Sequence, residues 1–394
     1  MVMCEDRVED VALPLYEGRM IGQFDFSQKG WVSGKGRSAV WRDIPWERKQ
    51  IEPQYLMSAD TYRSSLADHT SGDSIGSSSP ILRTAFMDVT SATNSRTVIA
   101  SCVPMNPCGN KVPVLQSEDP VILSATMSSF AFDFVARRRL TGLSLNYFIL
   151  EELALPRSSA VLRPLEALGL ALSAGSFVFA PAWFRAGRSD YGARSLWHLS
   201  DSARLRARCM ADAFVMAAYG LSGEDARFLV IGDGVIAATA DPKGFWRIDK
   251  DKIPELRHPA LSIVAFRDLE EKIHECGGDR NAGIEAFLSQ NEGEGWMLPE
   301  TLRLADYGLG DDKHAEQPQP VASRLGPRLF GWQLVQGAEE SWRECHLHAR
   351  NLLGECGYRE LLDEIAARDR GEQPSRAEQP PTSLPDGGTQ QPLW

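Results

Sequence analysis

Six cations and three tryptophans lie close together in the glycine-rich segment 27–50 of this chain. They are Lys29, Lys35, Arg37, Arg42, Arg48, Lys49, Trp31, Trp41 and Trp46. The intervening glycines exclude a continuous helix here, so a loop is predicted. On such a loop, cations can bind the phosphates of a nucleic acid and aromatic rings can stack on its bases. A solvated loop whose tryptophans anchor it to the core explains the same residues equally well.

A second set of side chains could support metal chemistry. Asp249 or Asp251, together with Glu270, Glu271 and Lys272, would supply the carboxylates and the lysine of a metal-dependent phosphodiesterase. The last three belong to a helical pattern in which alternate residues diverge. A charged, solvated helix face is therefore the better interpretation of this set.

The cysteines give little sign of a metal site or a disulfide framework. There are seven, and their spacing matches no disulfide-rich scaffold, which favours the cytosol. Cys345 and His348 lie on adjacent turns of a helix predicted over 338–353, with Cys356 nearby. Because no Cys-x-x-Cys pair completes a zinc site, a buried thiol and a surface histidine are expected.

The elements that must position functional residues are clearest between Ile81 and Pro156. The apolar run 98–100 predicts a strand, with a polar turn before it at 93–97. A helix is predicted from Asp119 to Arg139, with a proline at its first position and cations at its end. Its apolar residues occupy most faces, which indicates burial.

Four short motifs in this stretch resemble the target-recognition region of large adenine-N6 DNA methyltransferases. The relatives are type IIG restriction–modification methylases and the PglX-like methylases of bacteriophage exclusion systems. The motifs are Arg83-Thr84-Ala85-Phe86-Met87-Asp88, Asn94-Ser95-Arg96-Thr97, Ser128-Ser129-Phe130 and Asn146-Tyr147-Phe148-Ile149-Leu150. The family has a second arginine where this chain has Met87, so any role of that arginine is lost or moved.

A more specific resemblance to the same family lies at residues 15–25, which run Leu-Tyr-Glu-Gly-Arg-Met-Ile-Gly-Gln-Phe-Asp. Related methylases carry Leu-Tyr-Glu-Gly-Lys-Met-Ile-x-Gln-Phe-Asp where the recognition region begins, and usually continue with His-Arg, which this chain lacks. Arg19 replaces the lysine and is a cation that could meet a phosphate. An ion pair with Glu17 or Asp25 would account for Arg19 as well.

Two further helices extend the resemblance toward the C-terminus. Ser200 is predicted to cap a helix over 201–219, and Ser222 begins a shorter helix with a capping-box pattern. Related methylases carry an Arg-x-x-Leu-Asp-Ala and Tyr-Gly-Leu helix at the C-terminal edge of the recognition region. The resemblance thus covers roughly Leu13 to Leu229.

The catalytic motifs of the family are missing. An adenine methyltransferase needs a glycine-rich turn for S-adenosylmethionine and an (Asn/Asp/Ser)-Pro-Pro-(Tyr/Phe) loop that holds the flipped base. Asn106-Pro107-Cys108-Gly109 shares only two residues with that loop, and Gly232-Asp233-Gly234 is better interpreted as a plain turn. No cofactor is therefore expected in this chain, and S-adenosylmethionine is expected on a separate catalytic polypeptide.

The charge distribution bears on the class of partner. A net charge of −11 argues against a protein that merely coats DNA. Residues 19–139 hold 14 basic and 11 acidic residues, a local charge of +3 that fits local DNA contact and also fits chance. No apolar run approaches the ~20 residues that span a bilayer. The N-terminus lacks a secretory pattern, so no membrane partner and a cytoplasmic location are expected.

The fold class predicted from these patterns is α+β. Residues 1–160 are expected to form a mixed DNA target-recognition region with short strands and buried helices. Residues 161–276 would be its helical extension. Residues 277–370 would be a helical C-terminal region with an irregular linker at 277–330, and 371–394 a disordered tail. Residues 64–79 are predicted to be a surface loop.

The resemblance implies a sequence-specific duplex-DNA recognition part of a split or truncated adenine-specific methyltransferase. It would serve a restriction–modification or phage-defence system and position a base for the catalytic polypeptide. The resemblance implies that the recognition segments lie around Arg83, Asn94, Arg96, Thr97 and Asn146. The cations Arg19, Lys35 and Arg37 are expected to bind DNA as well. Arginine would read guanine and asparagine would read adenine.

Each of these residues also has a structural interpretation. Asn94 could be a turn residue, Arg96 a surface cation and Asn146 a helix cap. Two other functions stay open for the whole chain. One is a protein-interaction subunit of a phage-defence complex that does not read DNA, and the other is the metal-dependent nuclease built on Asp249 and Glu270.

Overall fold

Helices dominate the structure and its strands are short, which confirms the predicted α+β class. The structure is a computed structural model, and it describes residues 2–4, 7–69, 81–156, 159–186, 193–232 and 244–370. The predicted tail at 371–394 lies outside the described residues. No helix among the described residues is long and apolar enough to cross a membrane.

The strands form small antiparallel units. They are β1 Val2–Cys4, β2 Arg7–Asp10, β3 Ala12–Leu15, β4 Lys29–Ser33, β5 Val40–Asp43, β6 Tyr55–Ser58, β7 Leu82–Phe86, β8 Ala100–Pro104, β9 Val114–Leu115, β10 Thr301–Leu302 and β11 Gln319–Pro320. The pairs are β1–β2, β3–β6, β4–β5 and β10–β11, and the largest sheet has the order β8–β7–β9. Its central strand β7 is buried along its whole length, because helices cover the faces that its neighbours leave open.

The helices make up the remainder of the fold. They are α1 Ala59–His69, α2 Pro120–Met127, α3 Phe130–Arg139, α4 Tyr147–Glu151, α5 Ser159–Ser173, α6 Ala180–Ala186, α7 Asp201–Ala218, α8 Gly223–Ile231, α9 His258–Glu275, α10 Arg280–Gly293, α11 Ala322–Leu325, α12 Gly331–Val335 and α13 Ala338–Asp369. Short 3-10 turns join several of them, including Gly18–Met20 and Phe245–Arg247.

The predicted continuous helix over 119–139 is wrong, because the chain breaks between α2 and α3. Ser129 is extended at ψ 158°, and its hydroxyl accepts a hydrogen bond from Phe132 N at 3.2 Å as the N-cap of α3. The amide of Gln23 donates to Ser128 O across the break. The serine pair therefore interrupts the helix and caps α3. Serine suits this position because its hydroxyl can accept a hydrogen bond from a backbone N–H that has no partner within the helix.

The local capping predictions in the C-terminal half are confirmed. Ser200 caps α7 through Ala203 N at 3.1 Å, and Ser222 forms the expected capping box with Asp225 at the start of α8. The helix predicted over 338–353 is present and continues as α13. At Gly354 its backbone leaves helical geometry, with φ at +71°.

Two predicted irregular segments are partly helical. Helix α10 occupies 280–293 within the predicted linker 277–330. Helix α1 occupies 64–69 of the predicted loop 64–79, and residues 70–80 lie outside the described part. In α10 the N-cap Asp279 accepts from Asn281 N and Ala282 N, which offsets the unfavourable glycine content of the segment.

The hydrophobic core runs across the predicted boundaries at 160 and 276. One cluster surrounds α7 and α9 and includes Phe24, Phe130 and Phe287. A second cluster joins the strand region to α6 and α13. There Cys345 is fully buried and His348 stacks on Phe177 at 4.4 Å between ring centroids. The predicted divisions therefore describe stretches of sequence and not separately packed units.

The buried carboxylate of Asp133 fixes the turn that precedes β8. Its Oδ2 accepts hydrogen bonds from the backbone amides of Thr97 at 2.9 Å and Val98 at 3.1 Å. Its Oδ1 accepts from Arg137 Nε at 3.0 Å and Nη2 at 2.8 Å. Because the amides of Thr97 and Val98 both donate to a carboxylate on α3, these hydrogen bonds hold the turn at 93–97 against that helix.

We expect Asp133→Ala to lower the free energy of unfolding by about 3–5 kcal/mol, because it removes the countercharge of Arg137 and leaves two buried amides unsatisfied. The matched control is Asp60→Ala, which breaks the exposed Asp60–Arg63 pair at 2.9 Å. That change should cost less than about 1 kcal/mol. Urea unfolding followed by circular dichroism measures both, and equal losses would contradict the role given to Asp133.

Candidate nucleic-acid interface

Lys35 and Arg37 stand at the tip of the β4–β5 hairpin, where both side chains are exposed. The turn contains Gly34 and Gly36, whose φ angles of +75° and +56° favour glycine. In the part of the chain that the structure describes, no carboxylate lies within the 4.0 Å that defines an ion pair with either cation. Two unpaired cations are thus held at the end of a two-stranded ribbon.

Three of the other cations in 27–50 have carboxylate partners. Lys29 pairs with Asp43 at 3.2 Å, Arg42 pairs with Glu52, and the nearly buried Lys49 pairs with Asp25 at 2.7 Å. These residues stabilise the base of the hairpin. Arg48 is exposed and forms no ion pair among the described residues. The cations of the predicted loop that remain available to a ligand are therefore the two at the tip and Arg48.

The three tryptophans have different surroundings. Trp31 donates its indole N–H to Gly34 O at 2.9 Å and braces the turn. Trp46 carries the guanidinium of Arg204 3.5 Å from its ring centroid, which anchors it to the helical core. Trp41 lines an open groove. The anchoring interpretation thus applies to Trp41 and Trp46, which pack against a core cluster, and Trp41 also lines the groove.

This groove has a volume of about 530 Å³ and joins segments that are far apart in sequence. It is lined by Gly18, Arg19, Ile21, Gln28, Lys29, Ala39, Trp41, Met87 and Ile99. The Leu-Tyr-Glu-Gly-Arg motif contributes Arg19, and the Arg-Thr-Ala-Phe-Met motif contributes Met87. Two of the motifs that resemble the methylase family therefore meet at one surface, the second through Met87, where this chain departs from the family. The β4–β5 hairpin forms one wall.

Arg19 lies exposed on this groove. Asp25, one of its two predicted ion-pair partners, is held by Lys49. Burial raises the pKa of Glu17, the other predicted partner, and the charge of Arg19 opposes that shift from a distance. Among the described residues no carboxylate forms an ion pair with Arg19, so this cation is available to an anion.

Asn94 and Asn146 are both exposed, and their segments are neighbours. Leu145 N donates to Asp88 O at 2.8 Å, which joins the turn before α4 to the end of β7. Asn94 lies in a turn, with its N–H bonded to Ser91 O at 3.0 Å. Asn146 occupies the N-cap position of α4 without a side-chain capping bond. Its amide is therefore free of the predicted capping role.

Three of the predicted DNA-binding residues lie in the interior. Arg96 is 8% exposed, with its guanidinium 3.9 Å from the ring centroid of Phe130 and 5.5 Å from that of Phe245. Burial lowers the pKa of Arg96 to about 10. Thr97 and Arg83 are also buried. In this conformation the three buried side chains are not placed for direct base contact, which corrects their prediction as DNA-binding residues. The alternative of Arg96 as a surface cation is wrong as well, because Arg96 is buried.

A cluster of buried polar residues close to Arg96 was not predicted from the sequence. Asp212 Oδ1 accepts from Phe130 N at 2.7 Å, at the N-terminus of α3. Its Oδ2 lies 2.8 Å from His258 Nε2 and accepts from Ser262 Oγ at 3.2 Å. Since histidine and serine contact the same oxygen in the interior, the three residues do not form a nucleophilic relay. The only signal for Asp212 was its place in the family-like Asp-Ala motif.

The carboxylates of the nuclease alternative have structural partners. Asp249 accepts from His258 N at 3.2 Å, and Glu270 accepts from Gly223 N at 2.9 Å. Within the described ranges, no three His, Cys, Asp or Glu side chains are grouped so that they could hold a metal ion. The geometry therefore adds no support to this alternative.

Comparison with known proteins gives no relative. No family model matches the chain, and no curated protein or solved structure matches it. The likeness to methylase recognition regions rests on the motifs alone.

Stability should fall as the pH is lowered from about 6.5 to 4, and His258 should cause part of the fall. Burial lowers the pKa of His258 to about 4, helped by Arg208 and opposed by Asp212. The unfolded chain therefore binds a proton in this window that the folded chain does not. Each such histidine adds a slope of about 1.4 kcal/mol per pH unit, and His198, whose pKa is also lowered to about 4 by burial, adds a second.

His258→Gln keeps a donor for Asp212 but removes the titrating ring. The slope of stability against pH should therefore fall by about 1.4 kcal/mol per pH unit, the contribution of one proton. Urea unfolding at pH 7, 6 and 5 measures the slope. The control is Asn351→Gln, a change at an exposed residue that does not titrate, which should leave the slope unchanged. An unaltered slope in His258→Gln would show that His258 is not the group that titrates.

Proposed function

We propose that this chain binds duplex DNA and supplies the sequence-recognition part of an adenine-N6 DNA methylation system. The catalytic polypeptide, with its S-adenosylmethionine site, would be separate. One observation carries the proposal. Two of the motifs that resemble methylase recognition regions meet at one groove, and three exposed cations without carboxylate partners among the described residues lie on it or on its hairpin wall: Arg19, Lys35 and Arg37.

The hairpin suits the grooves of DNA. A two-stranded antiparallel ribbon fits the major groove of the B-form duplex, and Lys35 and Arg37 at its tip would contact phosphates or guanine edges. Arg19 would hold a phosphate at the base of the hairpin. Such phosphate contacts fix the register of a protein on DNA and carry no sequence information.

Sequence reading would fall to the exposed amides. Asn94 and Asn146 can each form a bidentate pair with adenine N6 and N7. Both extend from segments bonded to buried structure, Asn94 from the turn held by Asp133 and Asn146 from the start of α4. A rigid frame of this kind improves discrimination, because little side-chain and loop freedom is lost on binding.

The double variant Lys35→Ala/Arg37→Ala should weaken binding to duplex DNA and reduce the slope of log affinity against log salt by about two, because each cation releases one condensed counterion. The control is Lys313→Ala/Arg324→Ala, which removes two exposed cations elsewhere and changes the net charge equally. Fluorescence anisotropy at several salt concentrations measures both. A control that lost as much affinity as the hairpin variant would point to net charge and not to the hairpin.

Asn94→Ala and Asn146→Ala should relax the sequence preference while leaving retention of non-specific DNA nearly unchanged. Each lost bidentate pair is worth about 1–3 kcal/mol of discrimination against the wrong base. The measurement is selection from a randomised duplex pool, with sequencing of the bound fraction. Wild-type protein should enrich a motif that each variant degrades at one position. Enrichment of the same motif by both variants would remove these asparagines from the recognition set.

A second candidate function, a protein-interaction subunit, is favoured by one observation. Leu143 and Phe148 are 71% and 62% exposed, and Tyr147 is half exposed between them on the short α4 segment. Exposed apolar side chains grouped in this way are typical of a protein contact. No salt-sensitive retention of DNA by the purified chain at low ionic strength would decide for this function over DNA reading.

A further inference from the structure

Arg83 is a buried cation without a carboxylate partner in the described part of the chain. It is 7% exposed on the central strand β7, and no described Asp or Glu lies within ion-pair distance. One terminal nitrogen donates to Asn106 O, and Nε has no hydrogen-bond partner among the described residues. Buried charges in proteins are normally paired or bound to a ligand, because an isolated one is costly to desolvate.

This arginine lines an open pocket with a volume of about 440 Å³. The other lining residues come from α1, from the loop before β9 and from α4, and they include Tyr62, Cys108, Asn110 and Tyr147. The guanidinium lies 5.8 Å from the ring centroid of Tyr62, which helps to hold it in place. None of the lining side chains is a carboxylate, so the pocket presents one positive charge and no opposing one.

A second polar atom without a described partner lies behind the same pocket. The hydroxyl of Tyr16 is fully buried and makes no hydrogen bond within the described residues. Tyr16 N donates to Pro107 O at 2.9 Å, and Gly109 N donates to Tyr16 O at 2.9 Å, so Tyr16 fixes the loop that forms one wall. Because these hydrogen bonds lie within the protein, this wall of the pocket is preformed and does not depend on a ligand.

The nearest acidic side chain on this surface is already engaged. Asp88 accepts from Lys111 Nζ at 2.6 Å, and Lys111 stands between two lining residues in sequence, Asn110 and Val112. The charges of Lys111 and Asp88 therefore offset each other. Arg83 remains the one charged side chain among the lining residues, which favours an anion over a neutral guest or water alone.

We propose that this pocket binds a phosphate group through Arg83. The planar guanidinium can donate two parallel hydrogen bonds to adjacent phosphate oxygens, and Asn110 at the exposed rim can donate a third. The phosphate can belong to a free phosphorylated compound or to a nucleic-acid backbone. The inference does not rest on the proposed DNA recognition, because neither Arg83 nor this pocket carries that proposal.

The probe is inorganic phosphate, added to the full chain with sodium chloride adjusted to constant ionic strength. Isothermal titration should give saturable binding, and the midpoint of thermal unfolding should rise with phosphate concentration. Arg83→Met should weaken phosphate binding at least about tenfold. Arg83→Lys should retain part of the affinity, because the ammonium keeps the positive charge but cannot donate two parallel hydrogen bonds as the guanidinium does. Arg324→Met removes an exposed cation far from this pocket in sequence; it is the control and should bind phosphate as the wild type does.

A second pair of variants keeps the test decisive if Arg83→Met fails to fold. Asn110→Glu places a carboxylate at the exposed rim and should abolish phosphate binding, whereas Asn110→Gln should preserve it. Displacement of phosphate by a short duplex would identify a backbone phosphate as the occupant, and undisturbed binding would identify a free phosphorylated compound. No saturable binding, or an equal response to acetate, would overturn the proposal. Loss of DNA binding in the hairpin variant with phosphate binding intact separates this inference from the proposed function.

Discussion

The carboxylate of Asp133 is the contact on which the strand half of the molecule depends. It is fully buried and accepts from two backbone amides of the 93–97 turn and its flank, and from the guanidinium of Arg137. A buried carboxylate is tolerated only when its oxygens are satisfied in this way. Because the donors come from both the turn and α3, the position of Asn94 follows from the position of the helix.

Some arginines of this protein are buried and donate hydrogen bonds to backbone carbonyls, so their charge is not available at the surface. Arg204 donates to Leu172 O at 2.7 Å and to His198 O at 3.0 Å, while Arg206 donates to Trp296 O on another side of α7. Burial lowers the pKa of both, to about 9 for Arg204 and about 10 for Arg206. These two cations therefore add nothing to the surface charge that attracts phosphates. On the hairpin and the groove that attraction comes from the exposed cations Lys35, Arg37 and Arg19.

The groove and the Arg83 pocket are two surfaces with different chemistry. The groove joins cations, an indole and apolar residues, as an extended polymer of phosphates and bases would require. The Arg83 pocket is smaller and places its one charge at depth. Asn146 stands next to the exposed apolar residues of α4, so a polypeptide docked there would adjoin the amide proposed to read DNA.

The sequence by itself determined the features that depend on neighbouring residues. The caps at Ser200 and Ser222, the glycine turn of the hairpin and the α+β class all follow from local backbone preferences. The break at Ser128–Ser129 did not, because an apolar pattern on every face conceals a cap. Only the tertiary structure decided that Arg96 and Arg83 point inward and that two distant motifs share one groove. Burial depends on partners contributed by other elements, such as Phe245 over Arg96, and spacing along one chain carries no information about them.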